Sequence, residues 1–246
     1  MQNLKFSMLA PSAATAFLTS AQLASASPSA GRLLVAGYAS LMDEASARET
    51  MPSVSAFRLG VVPGYCRVFN LVSIINVRRG LATGRRLATC TARPRPGCSL
   101  SVCVFEIPLA ELEPLAVREA RLRLAPVRVE ALGGDDAAAA AALLCLESSD
   151  DEYRERWCGD DADAYHEQCG QHYDGRLYRD DCLPVPSYLL RCMRAHAAAG
   201  TLPNFLDASF LGDGRTTLRA HVLAEVDAPE CGWSDEERRE VRTICA

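Results

Sequence analysis

Short apolar runs separated by turn residues dominate the first half of the chain. Residues 33–36, 57–75 and 100–107 are dense in apolar residues, which predicts β-strands, and a further strand is expected over 85–91. Residues 122–132 alternate as expected of a strand with one buried face. In the second half, apolar residues recur three and four apart, most clearly over 183–200, where Gly200 provides a helix stop. Strands cluster early and helices late, so the pattern predicts an α+β fold with a mixed or mostly antiparallel sheet.

Several details of this pattern set expectations for single elements. Pro63-Gly64 predicts a kink that divides the second apolar run into two strands, and residues 93–97 predict a turn between the next two. A turn is expected at 133–136. Residues 137–146 fit either a helix, through their alanines, or a strand that pairs with 122–132. One or two surface helices are expected over 150–172.

The stretch from Leu33 to Met42 predicts a strand, a turn and the start of a helix. Four apolar residues precede Gly37, which lets the backbone turn, and Ser40 with Asp43 has the spacing of a capping box. Such a junction leaves backbone N–H groups unpaired, and these can bind a carboxylate or an oxyanion. An ordinary structural junction would show the same residues.

Glu119 is the carboxylate that the sequence singles out. Pro108 is well placed at the first position of a helix, which is expected to end near Glu119, where a strand follows. A carboxylate at such a junction can be partly desolvated, which raises its pKa and makes it a better general base. The alternative is a surface ion pair with Arg118 or Arg121.

Composition limits the class of partner and the compartment. The net charge of −5 argues against nucleic acid or an anionic membrane as the main partner, and no run of about 18 apolar residues is present to span a bilayer. The 11 cysteines are odd in number and scattered, which favours a reducing intracellular compartment over a disulfide scaffold. The oligomeric state cannot be inferred.

Three regions follow from the patterning. Residues 1–31 are rich in Ala, Ser and Thr, carry only Lys5 as a charge and contain no acidic residue, so we expect a flexible N-terminal segment, a possible transit peptide. A transit peptide would direct the protein to a plastid such as the chloroplast, and the alternative is the cytoplasm. Residues 32–226 are expected to form one domain, and residues 227–246 a polar tail helix.

Other constellations are weaker. Cys158, His166, Cys169 and His172 contain one Cys-x-x-His pair, but the second close pair that a zinc site usually has is missing, so no metal is expected. None of the cysteines lies in a recognisable nucleophile turn. The segment 80–84, which four arginines flank at 78, 79, 85 and 86, lacks the phosphate-loop pattern and fits a solvated hairpin.

Four segments, in order, resemble the γ-glutamylcyclotransferase family. Residues 35–41 resemble its Tyr-Gly-Ser loop, residues 62–70 the strand that follows, Arg118-Glu119 falls where its catalytic glutamate belongs, and residues 184–188 are similar to the segment with its substrate-contacting tyrosine. The resemblance covers most of 32–200. It implies that the sheet closes into a small barrel with flanking helices.

The resemblance also implies a reaction and a site. In this family the α-amine of a γ-glutamyl group attacks its own γ-carbonyl, which releases an amine or amino acid and 5-oxoproline without metal or cofactor. Glu119 would be general base and then general acid, and the partner a small γ-glutamyl compound. The residues implied in substrate binding are Val35, Ala36, Gly37, Tyr38, Ala39, Ser40, Leu41 and Tyr188.

One departure leaves an alternative open. The family has glycine where this chain has Ala39. If that position requires positive φ, alanine costs about 1 kcal/mol or moves the loop. A catalytically inactive relative, which uses the same pocket to bind a ligand or a protein, is therefore the second hypothesis, although a binding module has no need of Glu119 as a base.

Overall fold

The computed structural model describes residues 18–132, 139–229 and 231–245. The strands within them are β1 (Arg32–Gly37), β2 (Ser55–Val72), β3 (Arg86–Pro108), β4 (Arg123–Ala131), β5 (Ala140–Leu146), β6 (Leu183–Pro184) and β7 (Ser209–Leu211). The α-helices are α1 (Ser20–Ser25), α2 (Glu44–Arg48), α3 (Ile74–Arg78), α4 (Leu112–Arg118), α5 (Asp150–Tyr153), α6 (Ala162–Tyr165), α7 (Pro186–Ala198), α8 (Leu202–Asp207), α9 (Leu218–Asp227) and α10 (Asp235–Cys245). Short 3₁₀ turns at Ala39–Met42 and Leu109–Glu111 precede α2 and α4, and π-helical turns at Arg154–Cys158 and His166–Gly170 extend α5 and α6.

Five strands close into a barrel. Around the barrel, β3 pairs with β1, β1 with β5, β5 with β4, β4 with β2, and β2 returns to β3. The β1–β5 pair is parallel and the other four are antiparallel. The predicted α+β class, the mixed sheet and its closure into a small barrel are confirmed.

The strands β2 and β3 form one long hairpin that extends beyond the barrel. Pro63 is paired with Ser99 and Tyr65 with Pro94, so the register shifts where the two proline-containing stretches face each other, and Gly64 adopts a φ of 77°. At Pro63-Gly64, where a kink was predicted, β2 continues as one strand, and the bulge lies in β3, where residues 95–98 stand opposite Gly64. The turn predicted at 93–97 is wrong because those residues lie within β3. The extension carries β7 on one edge and β6 on the other.

Helices cover one face of the extended hairpin. Pro186 begins α7, and the apolar face of this helix buries Leu189, Cys192, Met193 and His196. The ambiguous segment 137–146 contains a strand, Ala140–Leu146, which pairs with β4. The turn expected at 133–136 lies outside the described residues.

The described chain begins before the predicted domain boundary. Helix α1 is capped by Thr19, the backbone N–H of Leu34 donates to the carbonyl of Ala26 at 2.7 Å, and Leu18 and Ala26 are buried. Residues 1–17 lie outside the described residues, so the N-terminal segment and the three-region division stay predictions. No helix among the described residues is long and apolar enough to cross a membrane.

Candidate active site around Glu119

The turn after β1 is packed tightly. A Cβ on Gly37 would lie 2.7 Å from the Cβ of Leu41 and 2.8 Å from a ring carbon of Phe105, so the chain needs glycine there. Ala39 has a φ of 53°, in the left-handed region that favours glycine. The positive φ considered for this position is therefore present, and an alanine adopts it.

The residues of 35–41 differ in what they can offer a ligand. Val35 and Ala36 are in register with β3 on one side and β5 on the other, so the sheet engages their backbone. The N–H of Leu41 donates to the carbonyl of Tyr38 at 3.0 Å. The N–H groups of Ala39 and Ser40 begin the 3₁₀ turn, where backbone donors have no partner within the turn.

Glu119 lies directly after α4, as the sequence predicts, with 19% of its side chain exposed. Its backbone N–H donates to the carbonyl of Leu115 at 3.0 Å, which fixes it to the last helical turn. Burial raises the pKa of its carboxyl group, while Arg118 and Arg121 act in the opposite direction. The Glu119 carboxyl group is thus partly desolvated, as the sequence predicts. The alternative prediction, an ion pair with Arg118, is present as well.

Arg118 links Glu119 to the turn after β1. Its Nε donates to Glu119 Oε1 at 3.2 Å, and its Nη2 donates to the hydroxyl of Ser40 at 3.3 Å. The same guanidinium donates to the carbonyl of Ser46 at 2.6 Å and to the hydroxyl of Thr50 at 3.1 Å. Hydrogen bonds to four residues hold this cation in place, so it fixes the carboxylate relative to the turn.

Arg118 is the part of the site that sequence reasoning undervalued. The sequence analysis considered Arg118 only as a surface ion-pair partner for Glu119. In the structure its side chain is 19% exposed and bridges two segments about 80 residues apart. A cation in the last turn of a helix, next to a candidate base, is the signal that could have found it.

The inner neighbours of Glu119 are neutral groups. The Tyr38 hydroxyl donates to the carbonyl of Cys145 at 2.7 Å. Burial is the main reason that the pKa values of Tyr38 and Cys145 are raised, and the Glu119 carboxylate adds to both shifts. Burial also raises the pKa of Cys90 to about 11, again with a contribution from Glu119. The carboxylate thus faces groups that stay uncharged near neutral pH.

Tyr188 contacts Cys90, one of these neutral groups. Its hydroxyl is 3.7 Å from the Cys90 sulfur, and its ring packs edge-on against Phe69 at 6.3 Å between centroids. Burial raises its pKa, as do the neighbouring thiols of Cys192 and Cys90. Tyr38, Cys90 and Cys145 belong to one apolar cluster, against which Tyr188 packs.

The cavity that borders Glu119 is small. It measures about 20 Å³, room for about one water molecule. Besides Glu119 it is lined by Leu18, Ala116, Leu122, Leu124, Arg156 and Trp157, none of which belongs to the turn after β1. A larger groove of about 550 Å³ lies on the other face of β3, next to Met42, Cys103 and α7, and does not include Glu119.

The weaker constellations do not converge on a site. Cys169 is buried and its sulfur lies 3.4 Å from the Tyr153 hydroxyl, whereas His166 is exposed. No three His, Cys, Asp or Glu side chains come together as a possible metal site in the part of the chain that the structure describes. All 11 cysteines are free thiols.

Comparison with solved structures finds similarity at low sequence identity. The chain is similar to structures of gamma-glutamyl cyclotransferases. One structure with that name has a TM-score of 0.49 and 12% identity over 86% of this chain and 99% of its own, and an uncharacterized protein from Homo sapiens gives the same values. A yeast gamma-glutamyl cyclotransferase specific to glutathione has a TM-score of 0.40 and 13% identity over 71% and 97%. No family model and no curated protein matches the sequence.

Proposed function

We propose that this protein cyclises a small γ-glutamyl compound to 5-oxoproline, with Glu119 as the general base and then the general acid. The observation that carries the proposal is the link through Arg118, which ties a partly desolvated carboxylate to the turn after β1. The reaction needs a base and an array of backbone donors. The contact between Arg118 and Ser40, which are 78 residues apart in the sequence, brings the helix end that carries the base next to the turn that carries the donors.

In the proposed reaction Glu119 takes a proton from the attacking nitrogen at the γ-carbon and gives one to the departing nitrogen. Glu119 accepts a proton from the α-amine of the substrate as the amine attacks the γ-carbonyl, and the carbonyl oxygen becomes an oxyanion. The oxyanion then collapses to the lactam carbonyl as the original amide bond breaks, and the carboxylic acid protonates the departing nitrogen, which releases the amine and restores the carboxylate. A raised pKa suits both steps, since the group must accept and donate a proton near neutral pH.

The N–H groups of Ala39 and Ser40 are the proposed donors to the oxyanion. Such a preorganised donor contributes on the order of 3 kcal/mol. Tyr38 is proposed to line the apolar side of the space that the turn and Glu119 share, with Tyr188 packed behind it. Arg118 acts by positioning the carboxylate and has no bond-making role.

Access to Glu119 requires a movement. A cavity for one water molecule cannot hold a glutamyl group, so a lining side chain must leave before substrate binds. Leu18 is the proposed one, because it lines this cavity together with Glu119 and belongs to no helix or strand. Trp157, which also lines the cavity, lies in the π-helical turn after α5.

The small cavity also supports the second hypothesis. A catalytically inactive relative would keep the fold and bind a ligand or protein without turnover, and a cavity of about 20 Å³ together with a strained Ala39 fits that outcome. The two hypotheses differ in one observable, the formation of 5-oxoproline.

A substrate panel with 5-oxoproline detection tests the proposal. The panel contains free γ-glutamyl amino acids, γ-glutamyl amines and glutathione, and at least one is expected to react. Glu119→Gln keeps the shape of the side chain but cannot accept a proton, so kcat is expected to fall at least 100-fold with a similar KM.

The matched control is Glu106→Gln. Glu106 is also a half-buried glutamate, 24% exposed and paired with Arg32 at 2.9 Å, but it lies away from the proposed site on β3. This variant is expected to keep its activity. If Glu119→Gln and the wild type turn over equally, the base is elsewhere, and if no panel member reacts, the proposed reaction is wrong.

A further inference from the structure

Arg67 is a cation enclosed by the protein. Its side chain is 0% exposed on the face of β2 that α7 and α8 cover. Its Nη2 donates to the carbonyl and, at 2.8 Å, to the hydroxyl of Ser101. Its Nε and Nη1 atoms are buried with no hydrogen-bond partner in the part of the chain that the structure describes. A buried charge is normally paired, because desolvation costs several kcal/mol per ion.

The groups around Arg67 do not neutralise it. Its guanidinium carbon lies 5.2 Å from the centre of the Phe205 ring, which stabilises a cation without removing its charge. Burial lowers the pKa of Arg67 to about 10, so it remains charged at neutral pH. Burial also raises the pKa values of the nearby Cys90, Cys192 and Tyr38, so these groups carry no compensating charge.

Two further polar groups beside Arg67 also lack a partner. Ser209 is the register neighbour of Arg67 in the β2–β7 pair, and its buried Oγ has no hydrogen bond among the described residues. His196 stacks on Phe205 at 4.3 Å, and its buried Nε2 is likewise without a partner there. Burial and Arg67 lower the pKa of His196, which keeps the ring neutral.

The three residues share one chemical property. Arg67 offers two N–H groups and a positive charge, and Ser209 offers a hydroxyl. When the Thr201 hydroxyl donates to His196 Nδ1, which lies 2.8 Å away, His196 Nε2 carries the proton and becomes a donor too. Donors around one uncompensated cation require an acceptor with negative charge.

We propose that Arg67, Ser209 and His196 bind one small monovalent anion inside the fold, either a halide or the carboxylate of a small organic acid. The anion would neutralise the guanidinium and accept hydrogen bonds from atoms that otherwise have none. This site does not involve Glu119 and does not depend on the proposed reaction, because an inactive protein could carry it equally well.

Thermal unfolding in different salts tests the site. The full chain is dialysed into a zwitterionic buffer with sodium gluconate, whose anion is too large to be enclosed. Chloride or formate then replaces gluconate at constant ionic strength. A saturable rise in Tm is expected, of about 3–6 °C when the anion exceeds its Kd tenfold. A response to chloride identifies a free inorganic ion as sufficient, whereas a response to formate alone identifies a carboxylate ligand.

Variants distinguish binding from a general salt effect. Arg67→Met is expected to lose the response to chloride and formate, and in gluconate its Tm should equal or exceed that of the wild type, because the uncompensated charge is gone. Ser209→Ala should need about tenfold more anion for the same shift. Ser73→Ala, which removes a buried helix cap elsewhere, should lower Tm in every salt and keep the anion response.

The inference is wrong if the wild type responds equally to gluconate, chloride and formate, or if Arg67→Met keeps the full response. Should Arg67→Met fail to fold, Ser209→Ala decides, since an unchanged anion midpoint in that variant contradicts the site. Because unfolding is the readout, a failure here leaves the proposed reaction untouched, and a chain that forms no 5-oxoproline leaves the anion site untouched.

Discussion

Replacing Ala39 by glycine measures the strain in the turn after β1. Ala39 has a φ of 53° and is 3% exposed. An L-residue with a Cβ pays about 1–2 kcal/mol for this conformation, and glycine pays almost nothing. The substitution therefore removes strain from the segment that carries the proposed oxyanion donors.

Two losses oppose this gain. Removing the buried methyl group costs about 0.8 kcal/mol, and the greater freedom of glycine in the unfolded chain costs about 0.4–1 kcal/mol. The net change in the free energy of unfolding is thus close to zero. Ala47→Gly is the matched control, because Ala47 is 0% exposed but helical, so it loses the methyl group and about 1 kcal/mol of helix propensity.

Chemical denaturation at 25 °C compares the two variants. Ala47→Gly should lose about 2 kcal/mol, and Ala39→Gly should lose at least 1 kcal/mol less, with unchanged m-values. Ala56→Gly is a second control: Ala56 also has a φ of 53° but is exposed, so it has no buried methyl group to lose and should be neutral or stabilised. If Ala39→Gly and Ala47→Gly lose equally, the turn is not strained and the reasoning fails.

Two further predictions concern Glu119. Burial raises the pKa of Glu119, so the folded state binds the proton more tightly than the unfolded chain does. The wild type should therefore lose stability relative to Glu119→Gln as the pH rises from about 4.5 through the folded pKa. Parallel Tm curves of the two proteins between pH 4 and 8 would contradict this. Leu18→Ala should enlarge the cavity beside Glu119 and raise kcat/KM at a cost of about 2 kcal/mol in stability, and an unchanged kcat/KM would exclude Leu18 as the obstruction.

The fold class followed from local patterns, but the path of the long hairpin did not. Proline and glycine at 63–64 and at 94–97 are ordinary turn signals when each stretch is read alone. In the structure they face each other across β2 and β3, so both signals are absorbed by one bulge and neither ends a strand. Only the pairing of the two strands reveals this, and pairing is a long-range property.

The candidate site divides in the same way. The position of Glu119 at a helix end is local, and the pattern around Pro108 was sufficient to predict it. The contact between Arg118 and Ser40 spans 78 residues and depends on how α4 packs against the turn, which the sequence alone does not contain. Arg67 was visible as one charged residue in an apolar strand, but the helices that enclose it come more than 100 residues later.

The two buried charges differ in what the protein supplies to each. Glu119 has a counter-charge in Arg118, which is itself held by Ser46 and Thr50, so the protein's own residues orient the carboxylate. Arg67 has an aromatic ring and one serine, and no carboxylate among the described residues. A preorganised pair suits a group that must repeat the same proton transfer at each turnover, whereas a lone buried cation suits a group whose partner arrives from solution.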